Sequence, residues 1–142
     1  MKYFSIKELT RSEAAERYGI DNTPDEKVTK RLERLVDTVL DPLREAFGEP
    51  IRVNSGYRCE ALNLHPEIGG SKTSEHMFGM AADITAIGET RIERMAKNQR
   101  LFELCISLGL PFHQLIDEYG FKWVHVSYNP AAKEQRIIKH LK

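Results

Sequence analysis

His76, Asp83 and His125 are the residues of this chain whose types and spacing most readily support chemistry. The segment Ser74-Glu75-His76-Met77-Phe78-Gly79-Met80-Ala81-Ala82-Asp83 places an imidazole and a carboxylate on either side of a turn of small residues. A second imidazole, His125, interrupts the apolar run Trp123-Val124-His125-Val126. Two nitrogen donors and one oxygen donor suit zinc and leave its fourth position to water. Zinc lowers the pKa of that water and polarises a carbonyl it touches. Each donor also has an ordinary role open to it. His76 can be a loop histidine, Asp83 can satisfy loop amides or cap a helix, and His125 can be a core histidine with a partner. Spacing alone leaves both readings open.

Amide hydrolysis also needs a group that takes a proton from water and returns it to the leaving amine. Asp117 and Glu118 are the acids near His125 in sequence. If Tyr119 to Lys122 is a turn between two strands, Glu118 opposes Trp123 and Ile116 opposes His125. Side chains alternate between faces along a strand. Glu118 then shares the face of His125, about 7 Å away on the diagonal, and Asp117 points away. A one-residue slip reverses the choice, and both can be plain turn carboxylates. Arg58 carries a planar donor fork that suits a carboxylate or a tetrahedral oxyanion. A structural salt bridge or a contact to loop carbonyls is its other reading. Lys122 can bind a substrate carboxylate or merely solvate the turn. Ser74 is expected to order its loop, and Trp123 to wall a pocket or pack beside one. His65 and His113 have no evident partner and read as solvent or structural residues.

The elements that must position these groups follow from capping signals and periodicity. Thr10 and Glu13 have capping-box spacing and predict a short helix over about 11–18, ended by Gly19. Thr23, Pro24 and Glu26 start a longer one. Val28, Leu32, Leu35, Val36, Val39, Leu40, Leu43 and Phe47 form its apolar face, with steps of three and four. Pro42 should kink or divide it, and Gly48 should stop it. Ile51 to Ser55 reads as a strand, turned at Gly56. Asn63 to Gly79 has no periodicity and reads as a long loop, the kind that often holds a site. Met80 to Thr85 reads as a buried strand. Thr90 and Glu93 box the start of another helix, closed by Gly109. Strands are predicted over Phe112 to Glu118 and Trp123 to Tyr128. Glu134 to Lys142 is charged and reads as a loose tail or a short last helix. Helices gathered early and antiparallel strands late give an α+β domain with flanking helices.

The chain has 142 residues, 41% of them hydrophobic, which fits a single domain over 1–142. Its 21 basic and 21 acidic residues cancel, so no net charge draws it to nucleic acid or an anionic membrane. No run is long enough to span a bilayer, and Met1 to Glu8 lacks the apolar core of a signal peptide. Synthesis in the cytoplasm, as a monomer with no stable membrane insertion, is expected. Cys59 and Cys105 fit no paired metal motif and read as free thiols, with a disulfide as the lesser alternative. There is no His-Glu-x-x-His, phosphate loop or dinucleotide fingerprint.

Ser74, His76, Gly79, Ala81 and Asp83, followed by Trp123-Val124-His125, form one ordered pattern. Asn54-Ser55-Gly56-Tyr57-Arg58, Asn63 and Gly69-Gly70 precede it. Together they resemble the zinc D-alanyl-D-alanine carboxypeptidases and their phage endolysin relatives, which cut L-alanyl-D-glutamate or related bonds of peptidoglycan. The resemblance runs from about Ile6 to Tyr128. It implies a small α+β fold, shared with the signalling domain of hedgehog proteins, and zinc on His76, Asp83 and His125. It also implies substrate binding and oxyanion stabilisation by Arg58, a peptidoglycan stem peptide as partner, and action at the cell wall, with a phage pore protein as the route of release. Many members place the acidic base three residues before the late histidine. Here that position is Lys122, which cannot serve, so Glu118 is the expected base and Asp117 its alternative. A zinc-stabilised module that binds wall peptides without cutting them, such as a phage structural component, is the rival expectation.

Overall fold

Val28, Leu32, Leu35, Val36, Val39, Leu40, Leu43 and Phe47 are buried along one side of the first long helical stretch in the computed structural model, which describes residues 1–142. That stretch comprises α3 (Glu26–Leu35), a π-helical turn (Val36–Leu40) and α4 (Asp41–Phe47). Pro42 has no N–H, and its ring would crowd the carbonyl four residues back. The widened turn before it absorbs the conflict, so the expected kink or division takes the form of a π-helical turn between α3 and α4. Asp25 caps α3, accepting from the Val28 N–H at 2.8 Å. Thr23, the predicted cap, instead donates its hydroxyl to Asp21 at 2.6 Å. Two short helices precede α3: α1 (Ile6–Thr10), capped by Ser5, and α2 (Glu13–Arg17), capped by Ser12. They replace the single helix predicted over 11–18, because the Thr10 hydroxyl bonds back to the Ile6 carbonyl at 2.8 Å and caps nothing.

Five strands form one sheet in the order β1-β2-β4-β3-β5. They are β1 (Ile51–Ser55), β2 (Ala81–Ala86), β3 (Gln114–Glu118), β4 (Trp123–Ser127) and β5 (Ile137–Leu141). The first four pair antiparallel, as expected. The fifth corrects the reading of the chain end: residues 137–141 are neither tail nor helix but a strand parallel to β3, so the sheet is mixed. Arg136 anchors it, with Nη1 donating to the Leu110 carbonyl at 2.6 Å and its guanidinium over the Phe112 ring. The architecture is α+β.

Alternation along the strands sorts the sheet into two faces. Val53, Ala82, Ile84, Leu115, Val124 and Val126 join the helices in one core. Asp83, Thr85, Ile116, Glu118, Trp123 and His125 are half-buried on the opposite face. Between β1 and β2 lie α5 (Glu60–Asn63) and a 3-10 turn at Glu75–Phe78. The helix α6 (Arg91–Ser107) begins at the predicted Thr90 cap. Its buried Asn98 donates to the Phe121 carbonyl at 2.9 Å and accepts from the Ala86 N–H at 2.7 Å, tying the β3–β4 turn to the sheet. No helix is long and apolar enough to cross a membrane.

Candidate metal centre

His76 stands on the 3-10 turn, where its own N–H donates to the Ser74 hydroxyl at 3.2 Å. Gly79 ends the turn with φ of 74°. Any Cβ there would come within 2.8 Å of the Val28 carbonyl. The imidazole itself is steered by Gly56, whose carbonyl lies 2.7 Å from Nδ1. A carbonyl only accepts, so Nδ1 holds a proton, and in the neutral ring the lone pair is on Nε2. Gly56 must be glycine for a separate reason. A Cβ would stand 2.2 Å from the Leu9 carbonyl, which also accepts from the Tyr57 N–H at 2.8 Å.

The sheet supplies the remaining donors. Asp83 on β2 pairs directly with His125 on β4. Asp83 Oδ1 is 3.0 Å from His125 Nδ1 and 3.4 Å from His76 Nε2. One donor atom from each of the three lies within 4.8 Å of the others. Burial disfavours the Asp83 carboxylate, but the two imidazoles outweigh it and hold its pKa well below the usual range. Burial likewise opposes the His125 imidazolium, and the Asp83 carboxylate overrides it, raising that pKa. A permanent carboxylate flanked by two imidazole nitrogens, one with its tautomer preset, is a donor set that fits a divalent cation such as zinc.

Glu118 opposes Trp123, and Ile116 opposes His125. This is the register expected from a turn at 119–122. Glu118 therefore lies on the face of Asp83 and His125, and the Trp123 indole N–H donates to its carboxylate. Burial raises its pKa, and the neighbouring Asp83 charge adds to the rise. Asp117 turns the other way. It accepts from the Phe121 N–H at 2.7 Å and meets His140 Nδ1 at 3.1 Å. Arg58 is held by Asn63, which accepts from its Nε at 3.1 Å, and by the Ser55 hydroxyl at 3.4 Å. The Arg58 N–H also donates to the His76 carbonyl at 3.0 Å. Asn63 is fully buried and donates to the Ser71 carbonyl at 2.8 Å. Arg58, His76, Asp83, Glu118, Trp123 and His125 share one cleft of about 570 Å3.

The sequence pattern that defines the family described as peptidase M15 matches residues 2–127. The chain belongs to the peptidase M15 family. It is also 36% identical over 77 residues to the zinc D-Ala-D-Ala carboxypeptidase of Streptomyces albus G. That stretch covers 52% of this chain and 29% of the relative, so the chain spans well under half of that protein. β5 lies beyond the part of this peptidase M15 chain that the family pattern matches.

Two groups of the cleft were not foreseen. His113, read as having no partner, has Nδ1 at 3.0 and 2.9 Å from the two oxygens of Glu75, and both residues line the cleft. The pair is separated by 38 residues, and no spacing signal links them. His65 stacks on Tyr18 with ring centroids 4.0 Å apart. Lys122 is exposed in the turn and does not line the cleft.

Proposed function

We propose that this chain is a zinc-dependent hydrolase that cuts an amide bond in peptidoglycan stem peptides. The observation that carries it is the convergence of His76, Asp83 and His125 donor atoms within 4.8 Å in a cleft that also holds Glu118 and Arg58. Membership of a peptidase family supports the reaction class. The likeness to a protein named zinc D-Ala-D-Ala carboxypeptidase supports metal and substrate.

His76, Asp83 and His125 would hold the ion, with the Gly56 carbonyl fixing the first imidazole. A bound zinc ion supplies Lewis acidity, which acidifies water and polarises a carbonyl. Glu118 takes the proton from the attacking water and returns it to the leaving amine. Its raised pKa favours both halves of that exchange. The Trp123 N–H keeps the carboxylate in place. Arg58 orients the substrate and donates to the oxygen on which charge develops. The bond cut is that of a terminal D-alanine or an L-alanyl-D-glutamate bond, and the site of action is the cell wall, reached through a phage pore protein.

Digestion of purified stem peptides followed by mass spectrometry tests the reading. Cleavage is expected to stop with a chelator and to return with zinc. Glu118→Gln is expected to lower turnover by about 1,000-fold while zinc is retained. Stoichiometric zinc without cleavage of any muropeptide would overturn the hydrolase and leave a metal-stabilised module that binds wall peptides.

A further inference from the structure

His113 and Glu75 are the titratable pair of the cleft that the proposed reaction does not use. Their side chains are 14% and 13% exposed, and Glu75 forms its only ion pair with His113. Both Glu75 oxygens lie within 3.0 Å of His113 Nδ1. A carboxylate only accepts, so Nδ1 carries a proton, and in the neutral ring Nε2 is an acceptor. That Nε2 makes no hydrogen bond within the chain, and unlike the Nε2 of His125 it is not sealed from solvent. An acceptor aimed by a carboxylate, open to the cleft and unused by the fold, is suited to recognition.

The backbone fixes where this acceptor stands. The His113 N–H donates to the Ser127 carbonyl at 2.8 Å, and its carbonyl accepts from the Ile137 N–H at 2.8 Å. His113 therefore continues the ladders of β3 with β4 and with β5, which makes a rigid mount. Ile116, three residues on, pairs with His125, and Glu118 lies two residues further. His113 thus stands about 10 Å along β3 from the metal donors, on the side away from Glu118. A peptide laid extended along β3 rises by the same step, so it reaches His113 about three residues from a cut made at those donors. Gln114, next in the chain, and Asn129, two residues past Ser127, also line the cleft. Arg58, the only lysine or arginine of the lining, is held by Asn63 and Ser55 instead. A donor for Nε2 has to come from the occupant.

We propose that His113, aimed by Glu75, forms a distal subsite that accepts a hydrogen bond from a nitrogen donor of the peptide substrate, about three residues from the cut. The donor is a backbone N–H or a side-chain amine, which offer Nε2 the same chemistry. This rests on the reading of the cleft as a peptide-hydrolysing site. A half-buried acceptor discriminates against a peptide that lacks the donor, because the acceptor is then left unpaired.

Calorimetry on zinc-loaded Glu118→Gln protein reads the subsite without turnover. The probes are a synthetic stem peptide, the same peptide with its side-chain amine acetylated, and a set in which one backbone N–H at a time gives way to an ester oxygen. Removal of the donor is expected to weaken binding about tenfold. In the His113→Phe background, which keeps a ring but no nitrogen, the same removal is expected to change affinity by a factor of about one. His113→Gln retains an acceptor and is expected to restore part of the ratio. These ratios compare peptides within one protein, so a general loosening of the fold does not produce them. If His113→Phe fails to fold, His113→Asn, too short to reach, takes its place. A ratio seen with the acetylated peptide assigns the amine, and one seen with an ester assigns the backbone N–H. Equal affinities throughout, or a ratio that survives loss of the imidazole, overturns the subsite. Cleavage by the native protein together with equal affinities removes the subsite and spares the hydrolase. A ratio that depends on His113, in a chain that cleaves nothing, supports the subsite and removes the hydrolase.

Discussion

On the sheet side of the cleft, Asp83, His125 and Glu118 project from three neighbouring strands, and their relative positions follow from the ladder. His76 and Arg58 leave irregular backbone instead. They are placed by a few hydrogen bonds, His76 by the Gly56 carbonyl and Arg58 by Asn63 and the Ser55 hydroxyl. The two sides meet in one donor cluster but tolerate change differently. A strand position is over-determined by its neighbours, so losing one contact moves it little. A turn position depends on a few close approaches in which a single added carbon has nowhere to go.

Gly56→Ala should break the comparison most sharply. Its Cβ would meet the Leu9 carbonyl at 2.2 Å, and backbone cannot rotate aside. A loss of about 3 kcal/mol in stability is expected. A fall in zinc affinity of about tenfold or more should follow, because the carbonyl that orients His76 must shift. Denaturant melts and competition with a zinc chelator measure both. Asn63→Ala should rank second, at about 2 kcal/mol, because it strips Arg58 of an acceptor and removes a buried donor from the Ser71 carbonyl, which keeps only the Ser74 N–H. Its signature is a raised KM with zinc content intact.

On the sheet side, His140→Ala removes a partner of Asp117 that is itself 60% exposed. A change of about 0.5 kcal/mol or less is expected, with metal affinity unaltered. A larger loss than that of Asn63→Ala would reverse the contrast. The smallest effect concerns the thiols. Both cysteines are free. Burial pushes the Cys105 pKa up to about 12, whereas Cys59, beside Arg58, is partly exposed. Alkylation of the native protein should modify Cys59 and spare Cys105 until the core opens, as read by peptide mass spectrometry.

Much of the sheet side was legible in the sequence. Period-two alternation and a four-residue turn were enough to place Glu118 opposite Trp123, and with it to separate Glu118 from Asp117. The long apolar face of α3 and α4 was equally plain. The turn side was legible as a motif only. Gly56 and Asn63 stood out, but the Leu9 carbonyl that demands the first and the Ser71 carbonyl that uses the second are contacts no periodicity announces. The same holds for His113 and Glu75. β5 escaped because every residue from Ile138 to Leu141 is exposed, so it carries no apolar alternation. Backbone pairing along β3 and the Arg136 anchor hold it. At the chain start, Ser5 and Ser12 won the capping competition from Thr10, whose hydroxyl had a nearer acceptor in its own turn.

X-ray absorption at the zinc edge, on protein dialysed after loading, tests the central claim most directly. The account predicts about one ion per chain, with imidazole and carboxylate scatterers near 2.0–2.1 Å, no sulfur, and room for a solvent oxygen. His125→Ala should lose the ion. Failure to retain zinc, or a first shell containing sulfur or closed by four protein ligands, would contradict it.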